Sequence, residues 1–282
     1  METRYYKVAG HTFGVSGGAE IFALMTDYEP FGSEAGAAVF MLTVGKDKAV
    51  SYTEDLRQED EGQQIVCGRT SSGDSVYEFI WWGESAGWLV CTDHYRQGRL
   101  ILTGRHTKMA IDNALMVLFA LATADKDTAL FHAAAVSLEG KGYMFLGKSG
   151  TGKSTHAGLW VKHIAGAMLM NDDNPVVRIH EGQAVVYGSP WSGKTPCYHN
   201  VNCPLGGIVL LSQAPYNQIS RLRGLEAYVA LVTSISGQRW DEGIADGLHE
   251  TEDFLASNLP IWHLECLPNE EAATLCQTTI TS

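Results

Sequence analysis

Two textures of hydrophobic patterning divide the 282-residue chain near position 106. Before it, apolar residues come in short runs broken by turns. Phe79-Ile80-Trp81-Trp82 and Trp88-Leu89-Val90 are separated by Gly83 and Gly87, Arg99-Leu100-Ile101-Leu102-Thr103 is another run, and Ser71-Ser72-Gly73-Asp74 is a turn cluster. Such runs predict short strands, so residues 1–106 are expected to form a β-rich accessory domain. The polar, charged stretch from Glu54 to Gln63 is expected to be an exposed loop. Ile111, Ala114, Leu115, Leu118, Leu121 and Ala122 then recur at helical spacing, predicting a connecting helix within 107–127 that Ala124-Asp125-Lys126-Asp127 ends.

From 128 onward strands alternate with helices. Ala129 to Leu138 reads as one strand, Glu139-Gly140-Lys141-Gly142 as a turn, and Tyr143-Met144-Phe145-Leu146 as a second strand. Thr155 to Ile164 reads as a helix with Leu159, Trp160, His163 and Ile164 on one face. Met168-Leu169-Met170 is a short apolar run expected to be a buried strand, and Ala184-Val185-Val186 is another strand. That order predicts an α/β domain over 128–282.

Composition narrows the class. Hydrophobic residues at 45% and charged residues at 18% suit a globular protein with a real core. A net charge of -12 repels phosphate backbones and anionic lipid, which argues against nucleic acid or membrane as general partners. The longest apolar stretch, Ala114 to Ala124, is too short to span a bilayer, and METRYYKVAG lacks an apolar signal core, so the cytoplasm is expected. The six cysteines include no CxxC pair, which argues against a disulfide scaffold. Cys197-Tyr198-His199 with Cys203 lacks the spacing of a familiar zinc site.

An acidic protein needs concentrated local donors to hold polyphosphate, and one segment supplies them. Gly147-Lys148-Ser149-Gly150-Thr151-Gly152-Lys153-Ser154 fills the pattern G-x-x-x-x-G-K-[ST] between a predicted strand and a predicted helix. Glycines let successive backbone N–H groups approach phosphate at a helix N-terminus, Lys153 reaches the terminal phosphates, and the Ser154 hydroxyl suits Mg²⁺. ATP and Mg²⁺ are therefore the expected ligands, held by residues 147–155, Thr155 included.

Nineteen residues after Lys153, the run 168–171 ends in Asp172-Asp173. Carboxylates at a strand end in such a domain hold metal or act as a general base. His132, in the strand before the loop, is placed to approach the phosphate or an acid. Tyr187-Gly188-Ser189-Pro190-Trp191-Ser192-Gly193-Lys194 is either a phosphate- or acceptor-contacting loop or a plain turn. Arg178, Arg221 and Arg223 are candidates for a cationic clamp.

Phe131-His132-Ala133, then Phe145 through Thr155, then Asn171-Asp172-Asp173 resemble the kinase domain of HPr kinase/phosphorylase, over roughly residues 128 to 280. That family shares a P-loop superfamily with ATP-dependent phosphoenolpyruvate carboxykinase. The resemblance implies an HPr-kinase-like, carboxykinase-like α/β domain following the β-rich N-terminal one. It implies that Lys153 binds β/γ-phosphates, that Ser154 and Asp173 ligate Mg²⁺, and that Asp172 is the base, supported by His132. Two departures stand out: Thr155 replaces a glutamate of the family, and the family's downstream E-[IL]-R-G-[LI]-G signature is replaced by the 188–194 loop. That loop, like the Ile261–Pro268 strand and the helix after it, is more similar to HPr-kinase-like proteins acting on other acceptors, such as peptide-tailoring serine kinases.

The implied activity is transfer of the ATP γ-phosphate to a hydroxyl of a peptide, a protein or a small molecule. Alternatives are a non-catalytic ATP-binding switch or scaffold and a carboxykinase-type enzyme on a small carboxylic acid. Pyrophosphate as donor and assembly into a homo-oligomer stay open.

Overall fold

The computed structural model describes residues 1–193 and 195–282, and the chain is a mixed α/β protein with large sheets. It divides into two units, Met1–Thr123 and Ala124–Ser282.

Strands β1 (Glu2–Val8), β2 (His11–Gly17), β3 (Gly32–Ser33), β4 (Met41–Gly45) and β5 (Thr53–Asp60) begin the first unit. They are joined by β6 (Gln63–Arg69), β7 (Ser75–Trp81), β8 (Glu84–Thr92) and β9 (Gln97–Leu102). Among the described residues these form one sheet in the order β3-β1-β2-β4-β9-β8-β7-β6-β5. Period-two alternation is plain in β4, where Leu42 and Val44 are buried while Thr43 and Gly45 face out. A short helix, α1 (Ala19–Phe22), precedes the long α2 (Thr107–Thr123), which lays Ile111, Ala114, Leu115 and Leu118 against β7, β8 and β9. The expected loop from Glu54 to Gln63 is instead edge strand β5 and the turn into β6. Every residue of β5 is exposed, so backbone pairing alone makes it a strand and no alternation marks it. Its charges oppose pairing with a further chain.

The second unit opens with β10 (Thr128–Phe131), β11 (Ala133–Leu138), β12 (Lys141–Leu146), α3 (Lys153–His163), β13 (Met168–Asn171), β14 (Val176–His180) and β15 (Gln183–Tyr187). It continues with β16 (Asn202–Gln213), β17 (Gln218–Leu222), α4 (Leu225–Val232), β18 (Ile235–Ser236), α5 (Glu242–Asn258), β19 (Ile261–Cys266) and α6 (Glu270–Ile280). The sheet order is β13-β11-β12-β16-β15-β14-β10-β18, with β19 added to β16 and β17 to β19. Strands β12, β16 and β19 run parallel, and β11 runs antiparallel to β12.

Two expectations change here. The single strand expected from Ala129 to Leu138 is broken at His132, because β10 pairs with β14 and β18 while β11 pairs with β12 and β13. The His132 amide donates to Ser234 O at 2.7 Å across that break. Strand β13 lies at a sheet edge, and its first residue, Met168, is exposed.

One sheet face builds a core cluster with α3 and α6. Val136, Tyr143, Phe145, Val209, Leu211 and Leu264 meet Ala157 and Trp160 of α3 and Ala273, Cys276 and Ile280 of α6. The buried stripe of α3 is Lys153, His156, Ala157 and Trp160, one helical face begun by a lysine. Trp160 Nε1 donates to His156 Nε2 at 3.2 Å, and the Phe145 ring meets the imidazole edge-on at 4.7 Å. Burial pushes His156 down from 6.5 to about 4. Above pH 6.5 the imidazole is neutral in both folded and unfolded chain; below it only the unfolded chain takes the proton until about pH 4. Its contribution is thus present above pH 6.5 and lost as pH falls toward 4, by about 3 kcal/mol. Urea melts at pH 7 and 4.5 should show a larger loss for wild type than for His156→Gln, and parallel losses would refute the assignment. Among the described residues no helix is long and apolar enough to cross a membrane.

Candidate functional site

Strand β12 ends at Leu146, and the chain turns through 147–152 into α3, whose first residue is Lys153. Gly152, the residue before the helix, sits at φ 102° in the left-handed region, where a side chain costs about 1–2 kcal/mol. Gly147 is excluded from substitution by space as well: a Cβ there would lie 2.5 Å from Thr151 Oγ1 and 3.2 Å from Leu211 O. Thr151 closes the loop, its N and Oγ1 donating to Lys148 O at 3.2 and 2.8 Å. Gln213 at the end of β16 ties it from outside, Nε2 donating to Gly150 O at 3.0 Å. Lys148, Ser149, Gly150, Ser154 and Thr155 are exposed around this turn.

Lys153 is buried, and its ammonium donates to Gly147 O at 2.9 Å and Lys148 O at 3.3 Å. A third partner is His132 Nε2 at 2.8 Å. Register explains that contact: Ala133 pairs with Leu146, so His132 stands opposite Gly147. An ammonium only donates, so Nε2 accepts and the ring proton sits on Nδ1. His132 Nδ1 lies 3.2 Å from Asp173 Oδ1, completing a Lys153–His132–Asp173 chain.

The carboxylate that His132 meets is Asp173, the neighbour of the Asp172 that it was expected to support. The cause is local backbone geometry. Ala133 N donates to Asp173 O at 2.8 Å, which docks Asp173 beside the β10–β11 break. Asn171 Oδ1 accepts from the amides of Asp173 and Asn174 at 2.9 and 2.8 Å, and Asn174 Nδ2 donates to Asp173 Oδ2 at 2.6 Å. Asp172 turns the other way, is only 4% exposed, and accepts from Thr195 N at 3.1 Å through Oδ2.

The segment after β15 covers that turn. Ser189 Oγ donates to Asn174 O at 2.6 Å and accepts from Asn171 Nδ2 at 3.1 Å and Trp191 N at 3.2 Å. Gly188 permits the close approach: a Cβ there would lie 2.1 Å from His199 O. Sequence patterning left this loop as either a phosphate- or acceptor-contacting segment or a turn, and the bonding of Ser189 and of Gln213 was not legible in it. Lys194, a candidate phosphate or acceptor contact if this loop is not a plain turn, lies outside the described residues.

Cys197 stands near Asp172; burial, then the Asp172 carboxylate, push its thiol up to about 11. Its Sγ is 3.7 Å from His199 Nδ1, whereas Cys203 Sγ meets Met170 Sδ at 3.6 Å. Two of the arginines stand away from the loop. Arg221 stacks over Trp262 at 4.9 Å on β17, with β16 and β19 between it and β12, and Arg223 follows the same strand. Arg178 pairs across to Thr128, four positions before His132.

Among the described residues no three His, Cys, Asp or Glu side chains converge. Of the two expected Mg²⁺ ligands, Ser154 is exposed and the Asp173 carboxylate is part-exposed; a hydroxyl and one carboxylate are oxygen donors of the kind magnesium takes alongside water and phosphate.

No protein-family model matches the chain, and no curated protein matches it. Among solved structures the chain is similar to the HPr(Ser) kinase/phosphatase from Coxiella burnetii, at 13% identity and a TM-score of 0.32, over 54% of this chain and 88% of that one.

Proposed function

We propose that the second unit is a P-loop, HPr-kinase-like phosphotransferase that moves the γ-phosphate of ATP to a hydroxyl of a peptide, a protein or a small molecule. The observation that carries this reading is the Lys153–His132–Asp173 chain at the mouth of a glycine loop, with Asp172 next in sequence. Phosphate oxygens would replace Gly147 O and Lys148 O as partners of the Lys153 ammonium, and the amides of 147–155 would receive the rest of the polyphosphate. Ser154 and Asp173 would hold Mg²⁺, which when bound neutralises phosphate charge. Asp173 keeps the His132 proton on Nδ1, and Nε2 thereby orients Lys153. Asp172 would take the proton of the acceptor hydroxyl once that hydroxyl replaces Thr195 N at Oδ2. Positioning and charge do the work, with no covalent protein intermediate.

The amide cover on Asp172 favours one second reading, an ATP-binding switch that transfers nothing. Incubation with Mg²⁺, γ-labelled ATP and host lysate separates the two. The kinase reading expects ATP consumption that depends on added lysate, with acid-stable label on a hydroxyl acceptor. ATP binding with no label in any fraction would leave the switch. Consumption with oxaloacetate alone would point to carboxykinase chemistry.

A further inference from the structure

The carboxylate read as the base is covered by a residue that carries a hydroxyl of its own. Asp172 is buried, and its Oδ2 accepts from the Thr195 amide at 3.1 Å, so Thr195 stands where an acceptor must stand. Gly193 lies against the same acids: a Cβ there would sit 2.9 Å from Asp172 O and 3.2 Å from Asp173 Cβ. Both acids are therefore met by this stretch of chain, and Asp173 is the one joined through His132 to Lys153. The Ser192 hydroxyl donates to Thr195 O at 2.6 Å, which braces the Thr195 backbone and engages the Ser192 proton. Thr195 itself is exposed.

Reach singles out the Thr195 hydroxyl. Within one threonine, Oγ1 lies no more than about 4 Å from N in any staggered χ1 rotamer, so a side-chain rotation alone brings it toward the carboxylate that N already meets. A carboxylate accepts several donors, so Asp172 can receive this hydroxyl beside the amide. Tethering also removes the need for an encounter, because a group held on the same chain acts at an effective concentration on the order of mM.

We propose that Thr195 is a self-phosphorylation site, to which the chain transfers a γ-phosphate from its own bound ATP. This rests on the phosphotransferase reading of the glycine loop and of Asp172. The bond from Thr195 Oγ1 to the γ-phosphorus forms as the bond from that phosphorus to the β,γ-bridging oxygen breaks. ADP leaves with the electron pair, and the hydroxyl proton passes to Asp172 and then to water. The product sets about two negative charges beside Asp172 and Asp173, which repels the modified residue and frees Asp172 Oδ2 for another acceptor. Thr195 is used up after a single transfer, so sustained ATP consumption still depends on an added acceptor.

The purified chain incubated with Mg²⁺ and γ-labelled ATP, without acceptor, tests this after acid treatment and peptide mapping. Wild type should take up acid-stable label on Thr195, at a rate per chain that stays constant over an about tenfold range of protein concentration. Thr195→Ser should keep the label and Thr195→Val should lose it, with ATP affinity by calorimetry within about twofold of wild type in both. Asp172→Asn should slow labelling about 10²-fold or more. Label that persists in Thr195→Val, maps to Ser192 instead, or appears at a rate per chain proportional to protein concentration overturns the proposal. So does a wild type that labels a lysate acceptor and never itself, and the phosphotransferase reading then stands. ATP binding with no label on the chain or on any lysate fraction removes that reading, and self-phosphorylation falls with it.

Discussion

Lys153→Ala should weaken Mg²⁺–ATP binding by about 3–4 kcal/mol, on the order of 10²- to 10³-fold, with a comparable loss of phosphoryl transfer. The size reflects burial. An ammonium on a surface side chain is screened and contributes little, but Lys153 is only 8% exposed and sits inside the loop that would surround the phosphates. Its partners include two loop carbonyls and a histidine, and phosphate oxygens in place of the carbonyls would gain charge pairing. Removing the side chain also strips Gly147 O, Lys148 O and His132 Nε2 of a common donor, so some loss of stability is expected. A melting curve measured beside the binding isotherm separates the effects. Wild-type ATP affinity in a folded Lys153→Ala protein would rule out the loop as a phosphate site.

Asp172→Asn should lower phosphoryl transfer by about 10²- to 10⁴-fold while ATP affinity stays near wild type. The amide is close in shape to the carboxylate, and its oxygen can still accept from Thr195 N, so the turn from Asn171 to Asn174 should persist. What disappears is the ability to take a proton. Asp173→Asn should behave differently, because that carboxyl bonds His132 and Asn174 and is the expected magnesium ligand. Its loss should appear first as a raised magnesium requirement and weaker nucleotide binding. The contrast between neighbouring substitutions is the informative result. An undiminished transfer rate in Asp172→Asn would remove it from the base role.

Local chemistry is what sequence spacing reports well. The apolar stripe of α2 and the β12–loop–α3 succession arise from periods and glycines within a few residues of each other. Strand β5 did not, since its eight exposed residues carry no alternation and only pairing with β6 makes it a strand. The break at His132 was equally hidden, because Ala129 to Leu138 is one apolar run whose two halves are claimed by different neighbours.

From the sequence alone come a glycine loop that can approach phosphate, a lysine and hydroxyl beside it, two acids and a histidine. These depend on residue type and close spacing, which covalent connectivity preserves. Only the tertiary structure decided that His132 bridges Lys153 to Asp173 rather than to Asp172, that Asp172 is covered by Thr195 N, and that Arg221 lies over Trp262, two strands from β12. Those outcomes depend on strand register and on contacts between residues 21 to 41 positions apart. Successive side chains on a strand or turn point opposite ways, so a shift of one residue exchanges the roles of two adjacent acids.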